Sequence, residues 1–139
     1  MIDVIIPTLR KSDCWLDCMS SLRYIPFPIN VHLIEDSPWA FAINKGFTIS
    51  GTNDIIIMDD DVILNQNTFN NFDSSIADII GFTLLFPNYS VQHAGSILKP
   101  TQEGFTIEHN YTKLSQSSIM PHVTASVMYV KRKVIDTIG

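Results

Sequence analysis

One stretch near the middle of the chain constrains the fold most, a short apolar run that ends in three consecutive carboxylates. Ile55 to Met58 is too short for a helix, and its β-branched side chains favour a strand buried on both faces. Asp59, Asp60 and Asp61 follow at once. Adjacent carboxylates repel one another and resist losing their water, so a positive group is expected at this end of the strand.

A hard divalent cation is the positive group that this pattern favours, because such ions take oxygen ligands and also hold the phosphates of a substrate. The alternative is a solvated acidic turn that binds nothing. The position of the carboxylates directly behind an apolar strand favours the cation.

Length and composition limit the class of protein. A chain of 139 residues is long enough for one domain with a substantial core. It is 45% hydrophobic and 17% charged, without a run long enough to span a membrane and without a signal-peptide pattern, so we expect a cytoplasmic protein. A net charge of -5 argues against nucleic-acid binding but leaves a phosphorylated ligand open. Because the chain is apolar for its length, we also expect exposed apolar surface that a homodimer would cover.

The only two cysteines, Cys14 and Cys18, are four residues apart on a predicted helix. That spacing is poor for a disulfide, and a single pair without a histidine at ligand spacing does not predict zinc. We interpret them as thiols that face the core.

The first 77 residues alternate between strand and helix. Strands are predicted at 1–7, 29–34 and 55–58, and helices end near residues 23 and 49, with a third within 65–77. This order predicts a parallel sheet with right-handed crossovers and a ligand site at the carboxyl ends of its strands. Arg10, Asp36 and the acidic triplet all fall at such ends.

The pattern changes after Asp78. Strands are predicted at 79–86 and 90–98, joined by a turn, and residues 101–118 are predicted to form a mobile loop with one short strand. A strand at 123–130 and a helix from residue 131 complete the chain.

Several stretches together resemble family 2 glycosyltransferases of the GT-A fold. The N-terminal stretches are Val4–Thr8, Glu35–Ser37, Asn44–Gly46 and Met58–Asp61. The segments 81–87 and 91–95 are similar to rhamnosyltransferase-like members, and 123–132 resembles the strand and basic pair before the family's Gly-Gly-Phe-Asp-Glu segment. The resemblance implies a Rossmann-like domain over 1–139, with a mostly parallel central sheet flanked by helices. Residues 1–78 would be its nucleotide-binding half and 79–139 a reduced acceptor half.

The resemblance also implies roles for individual residues. Asp61 would be the direct ligand of a Mn²⁺ or Mg²⁺ ion that bridges a diphosphate, with Asp59 at the ribose and the metal. Asp36 would accept a hydrogen bond from the base. The residues that would bind the donor are Pro7, Thr8, Arg10, Asp36, Asn44, Lys45, Asp59 and Asp60.

The implied activity is metal-dependent, inverting transfer of a sugar from a UDP-, dTDP- or GDP-linked donor to a hydroxyl of a saccharide or another acceptor. The chain ends at Gly139, where the family would supply the carboxylate that acts as general base. Glu108 and His109 are the nearest substitutes for that base, and His122 is a further candidate ligand of the metal. The alternative is a nucleotide-sugar binding domain without catalysis.

Simpler roles remain open for some of these residues. Asp36 can instead cap the helix that begins after Ser37, and Arg10 can form a surface salt bridge. Lys45 can be a solvated charge, and His93 can be a packed histidine. A nucleotidyltransferase would need a glycine-rich loop after the first strand, and 8–12 contains no glycine.

Overall fold

A computed structural model describes residues 1–11, 13–35, 37–112, 114 and 116–138. They form two compact units, one of residues 1–80 and 125–139 and the other of residues 81–124. Within this part of the chain, no helix is long and apolar enough to cross a bilayer.

The first unit is built on a mixed five-stranded sheet. Its strands are β1 (Ile2–Thr8), β2 (Ile29–Glu35), β3 (Asp54–Met58), β4 (Ile79–Gly81) and β9 (Val127–Val130). The spatial order is β2-β1-β3-β9-β4. β1 runs parallel to β2 and β3, whereas β9 runs antiparallel to β3. The apolar runs of β1 and β3 are buried, as their β-branched residues predict.

Three helices of this unit are described: α1 (Trp15–Ser21), α2 (Trp39–Ile49) and α3 (Arg132–Ile138). A 3₁₀ turn at Leu22–Tyr24 follows α1. Ala42 and Ile43 of α2 and Ile135 of α3 join the core that the sheet contributes. Trp39, the first residue of α2, lies outside this core, since 47% of the residue is exposed.

The second unit consists of two small antiparallel hairpins. β5 (Leu84–Leu85) pairs with β6 (Val91–His93), and β7 (Ser96–Thr101) pairs with β8 (Gly104–His109). The register of β7 and β8 sets Ser96 opposite His109. Beyond Ser96, every residue of this second hairpin is exposed.

The predicted GT-A fold with a mostly parallel central sheet is wrong. Only two strand pairings, β1 with β2 and β1 with β3, are parallel among those with a described direction, and the pairings of β9 with β3, β5 with β6 and β7 with β8 are antiparallel. The observed architecture is a small mixed α/β one. Crossover helices connect the first three strands, whereas no described helix lies between the later strands, and short connections without a helix allow antiparallel pairing.

The helix predicted within 65–77 is also wrong. This segment forms consecutive turns, in which amide groups donate to carbonyl groups three residues earlier. Asn65 and Asp73 accept hydrogen bonds from backbone amides two residues further on. Such local bonds compete with a helix, which is why Asn, Asp and Ser favour turns. Phe69 of this segment is buried.

The strand boundaries after Asp78 differ from the prediction as well. The strand predicted at 79–86 is interrupted between β4 and β5, and that at 90–98 is interrupted at Ala94–Gly95. Gly95 has a φ of +86°, which strands do not adopt and which favours glycine. In the described part of 102–118, β8 is longer than the short strand expected there.

Candidate functional site

The carboxyl ends of β1, β2 and β3 lie at one edge of the first unit, because the three strands are parallel. β1 ends at Thr8, which is opposite Glu35 of β2, and Asp59 follows the last residue of β3. The sequence-predicted convergence of strand ends at the acidic triplet is therefore present for these elements. We call Asp59, Asp60 and Asp61 the acidic exit.

Asp59 is half-buried and is held by neighbouring groups. Its backbone amide donates to the carbonyl oxygen of Ser126 at 2.9 Å, and its Oδ1 accepts a hydrogen bond from Trp39 Nε1 at 3.2 Å. Burial raises the pKa of Asp59, the side-chain hydrogen bonds from Ser126 and Trp39 oppose that rise, and the charges of Asp61 and Asp60 add to it.

Asp60 is fixed from the end of β1. Thr8 Oγ1 donates to Asp60 Oδ2 at 2.5 Å and accepts a hydrogen bond from the Arg10 amide at 2.8 Å. Arg10 has a φ of +52°, an uncommon backbone conformation for a residue other than glycine. The buried Thr8 hydroxyl thus connects the loop after β1 to the acidic exit.

Asp61 differs from its two neighbours. It is exposed, and no described residue donates a hydrogen bond to its carboxylate or forms an ion pair with it. Among the described residues, two of the three carboxylates are therefore oriented by protein donors, whereas Asp61 is exposed without such a donor.

A buried thiol lies beneath this site. Cys18 Sγ is 3.8 Å from the carbonyl oxygen of Asp59 and is shielded from solvent. Burial raises its pKa to about 12, and the negative charges of Asp60, Asp61 and Asp59 contribute. Cys18 is therefore a neutral packing group, as the sequence predicts.

The other residues predicted to bind the donor do not form one group with the acidic exit in the described structure. Arg10 forms an ion pair with Glu35, which is the salt-bridge alternative, and Pro7 is half-buried within β1. Asn44 and Lys45 line a shallow depression of about 300 Å³ with Phe41 and Thr48, and the acidic exit does not contribute to it. Asp36 lies outside the described residues.

The residues predicted to serve as base or extra metal ligand lie in the second unit. Glu108 forms an ion pair with Lys99 across the β7–β8 hairpin. His109 Nδ1 is 3.0 Å from Ser96 Oγ, and His122 Nδ1 is 3.3 Å from the same oxygen. His93 Nε2 is a third neighbour, at 3.1 Å. His93 is packed and buried, as its alternative interpretation predicts.

Three imidazole rings form hydrogen bonds with the single hydroxyl of Ser96, so the donor and acceptor roles of these groups can be assigned. The Gly95 amide donates to His93 Nδ1, so the neutral His93 ring carries its proton on Nε2 and donates it to Ser96 Oγ. A hydroxyl donates one hydrogen bond and accepts two. Ser96 therefore donates to one of His109 and His122 and accepts from the other. With three neutral rings, the Ser96 hydroxyl donates its one hydrogen bond and accepts its two, so it has no capacity left for a fourth partner.

No three metal-ligating side chains converge on one point within the described parts of the chain. A cation that bridges a diphosphate needs only one or two protein carboxylates, because phosphate oxygens and water complete its coordination. Asp61 and Asp59 fit that requirement by their chemistry.

Trp39 and Ser126 are the site residues that sequence reasoning missed. Trp39 sits among apolar residues of a predicted helix, which indicates core, and its bond to Asp59 depends on the tertiary fold. The register of β9 against β3 brings Ser126 to Asp59, and nothing local signals that pairing.

Comparisons of this chain with protein-family models, curated proteins and solved structures find no match.

Proposed function

We propose that this protein is a metal-dependent glycosyltransferase that moves a sugar from a nucleotide-diphosphate sugar to a hydroxyl acceptor with inversion. The observation that carries the proposal is the acidic exit. Asp59 and Asp60 are held by protein donors, and Asp61 is left exposed at the ends of three parallel strands. Ligands of open α/β sheets bind at such strand ends.

The resemblance to family 2 glycosyltransferases gives this site its specific chemistry. Asp61, assisted by Asp59, would hold Mn²⁺ or Mg²⁺. The cation would supply positive charge for the phosphate oxygens of the departing nucleoside diphosphate. Thr8 and Trp39 keep Asp60 and Asp59 in fixed orientations before a ligand arrives, and such preorganisation lowers the cost of binding.

The test is isothermal titration calorimetry with UDP, dTDP and GDP, each with and without Mn²⁺. We expect Mn²⁺-dependent binding of one nucleotide, weakened more than about 100-fold by Asp61→Asn, since even indirect partners of a metal contribute 10- to 100-fold. Asp17→Asn, which changes the same charge at an exposed position of α1, should bind like the wild type. If the folded wild-type protein binds none of the three nucleotides, the proposal is wrong and the acidic exit is a solvated turn.

One observation favours the alternative of a nucleotide-sugar binding domain. The two candidate bases are both engaged within their own hairpin, Glu108 with Lys99 and His109 with Ser96. A turnover assay with the nucleotide sugar and a panel of saccharide acceptors separates the two functions. Release of nucleoside diphosphate that depends on an acceptor supports the enzyme, and binding without release supports the binding domain.

A further inference from the structure

Trp39 is attached to the acidic exit by one edge of its ring. It is the first residue of α2, and its indole N–H donates to Asp59 Oδ1 at 3.2 Å. This bond fixes the ring beside the carboxylate that the resemblance assigns to the ribose and the metal. The ring contacts Asp59 and forms no described bond with Asp61, the carboxylate assigned to the diphosphate side.

The remainder of the Trp39 side chain is only partly covered. The residue is 47% exposed, and no aromatic ring of the described residues packs against it. A tryptophan usually buries most of its large apolar surface, and its N–H usually finds a partner. Here the N–H has its partner whereas the flat apolar surface has only partial cover. An indole anchored at its edge and open on its surface is suited to stacking on another planar ring.

We propose that Trp39 is the stacking platform for the nucleobase of the donor nucleotide. The inference rests on the proposed function, because it takes the acidic exit as the donor site. The nucleobase is favoured over the transferred sugar because Trp39 adjoins Asp59, on the nucleoside side, whereas the sugar is attached beyond the diphosphate. Stacking tolerates any planar base, so Trp39 contributes affinity for nucleotides as a class.

The chain offers a direct readout, since it contains two tryptophans, Trp39 and Trp15. Trp15 is half-buried on α1. We expect a nucleoside diphosphate with Mn²⁺ to lower the emission of the wild type and of Trp15→Phe by a similar absolute amount, which is a larger fraction of the total in Trp15→Phe. The quenching should be absent in Trp39→Phe, which lacks the indole but keeps an aromatic ring.

Affinity measurements then separate stacking from an indirect effect on Asp59. The probes are the nucleotide that the wild type binds and inorganic pyrophosphate, which has no base, each titrated with Mn²⁺. Trp39→Ala should bind the nucleotide at least about tenfold more weakly. Its loss of pyrophosphate affinity, which reflects the missing hydrogen bond to Asp59, should be much smaller. Trp39→Phe should retain most of the nucleotide affinity, because phenylalanine also stacks.

Three outcomes would overturn the inference, and they differ in whether the proposed donor site is retained. Equal nucleotide affinity in Trp39→Ala and the wild type removes the stacking role and keeps the donor site. Equal losses for nucleotide and pyrophosphate make Trp39 a positioning residue that acts through Asp59. A wild type that binds no nucleotide at all removes the proposed function together with this inference.

Discussion

At the scale of single residues, Gly46 is needed for packing. A Cβ built on Gly46 would lie 2.5 Å from Cδ1 and Cγ2 of Ile5, which is fully buried. We expect Gly46→Ala to lower the free energy of unfolding by about 1–3 kcal/mol, because this overpacking outweighs the better helix propensity of alanine. Urea denaturation monitored by circular dichroism measures the change.

The control for that substitution lies on the same helix. Thr48 of α2 is exposed, and Thr48→Ala should alter stability by no more than about 0.5 kcal/mol. If Gly46→Ala is as stable as the wild type, Ile5 has room to move and the close approach of α2 to β1 is not required.

Cys18 gives a second prediction for a single side chain. Its sulfur is shielded from solvent, and its pKa is raised to about 12, so the reactive thiolate is scarce at neutral pH. Cys14 is only half-buried. Titration of the native protein with a chromogenic disulfide at pH 8 should modify one thiol quickly, and a denaturant should expose the second. Mass spectrometry should identify Cys14 as the fast residue. Rapid modification of both thiols would contradict the packing of α1 against the acidic exit.

At the scale of elements, the hairpins of the second unit meet at Ser96, which contacts His93, His109 and His122, and we call these four residues the Ser96 cluster. Burial lowers the pKa of His93, and positive charge on His109 or His122 lowers it further. The unfolded chain therefore takes up a proton that the folded chain resists, and stability should fall as the pH drops below about 6.5. Denaturation midpoints measured between pH 7.5 and 5.5 test this expectation.

Two features of that experiment isolate the histidine. The carboxyls whose pKa is lowered, Asp3, Asp73 and Asp78, have an ordinary pKa of 3.8 and lose their contribution to stability at lower pH. His93→Asn cannot titrate and should show a smaller decline over the same range. An identical decline in both proteins would assign the pH dependence to groups outside the cluster.

The sequence predicts the elements with regular periodicity better than the contacts between them. The strand before Asp59 and the helix after Ser37 are both observed, because each has a clear apolar pattern and clear ends. The Ser96 cluster could not be predicted, since the register of β7 and β8 brings His109 to Ser96 and an isolated bridge brings His122 there. The His-Ala-Gly-Ser sequence at 93–96 is the one local signal for this cluster, because it places His93 near Ser96. It does not indicate that His109 and His122 also contact Ser96.

At the scale of the whole molecule, stability should differ between parts of the chain. β1 and β3 are buried, whereas β7 and β8 form an isolated two-stranded hairpin that is exposed almost throughout. Such hairpins are marginally stable. Hydrogen exchange followed by mass spectrometry should show the slowest amides in β1 and β3 and rapid exchange in β7 and β8. Slow exchange in the hairpin would indicate that another surface covers it, such as the predicted second copy.

Sequence patterns predict some of the strand pairings in this fold and fail to predict others. Alternation of strand and helix correctly indicates that β1, β2 and β3 are parallel, because crossover helices leave few other arrangements. It does not indicate that β9, near the end of the chain, pairs antiparallel with β3. The GT-A prediction failed at this point, where long-range pairing rather than local pattern decides the sheet.

The strand order has a consequence for biosynthesis. β9 lies between β3 and β4, and the carboxylate of Asp54 accepts hydrogen bonds from the Tyr129 hydroxyl and the Arg132 amide. A chain that leaves the ribosome from its N-terminus therefore presents β4 before its neighbour in the sheet exists. Until residues 127–132 emerge, one edge of β3 stays unpaired and open to other nascent chains. Protection of that edge during translation is thus as much a requirement of this topology as the final contacts are.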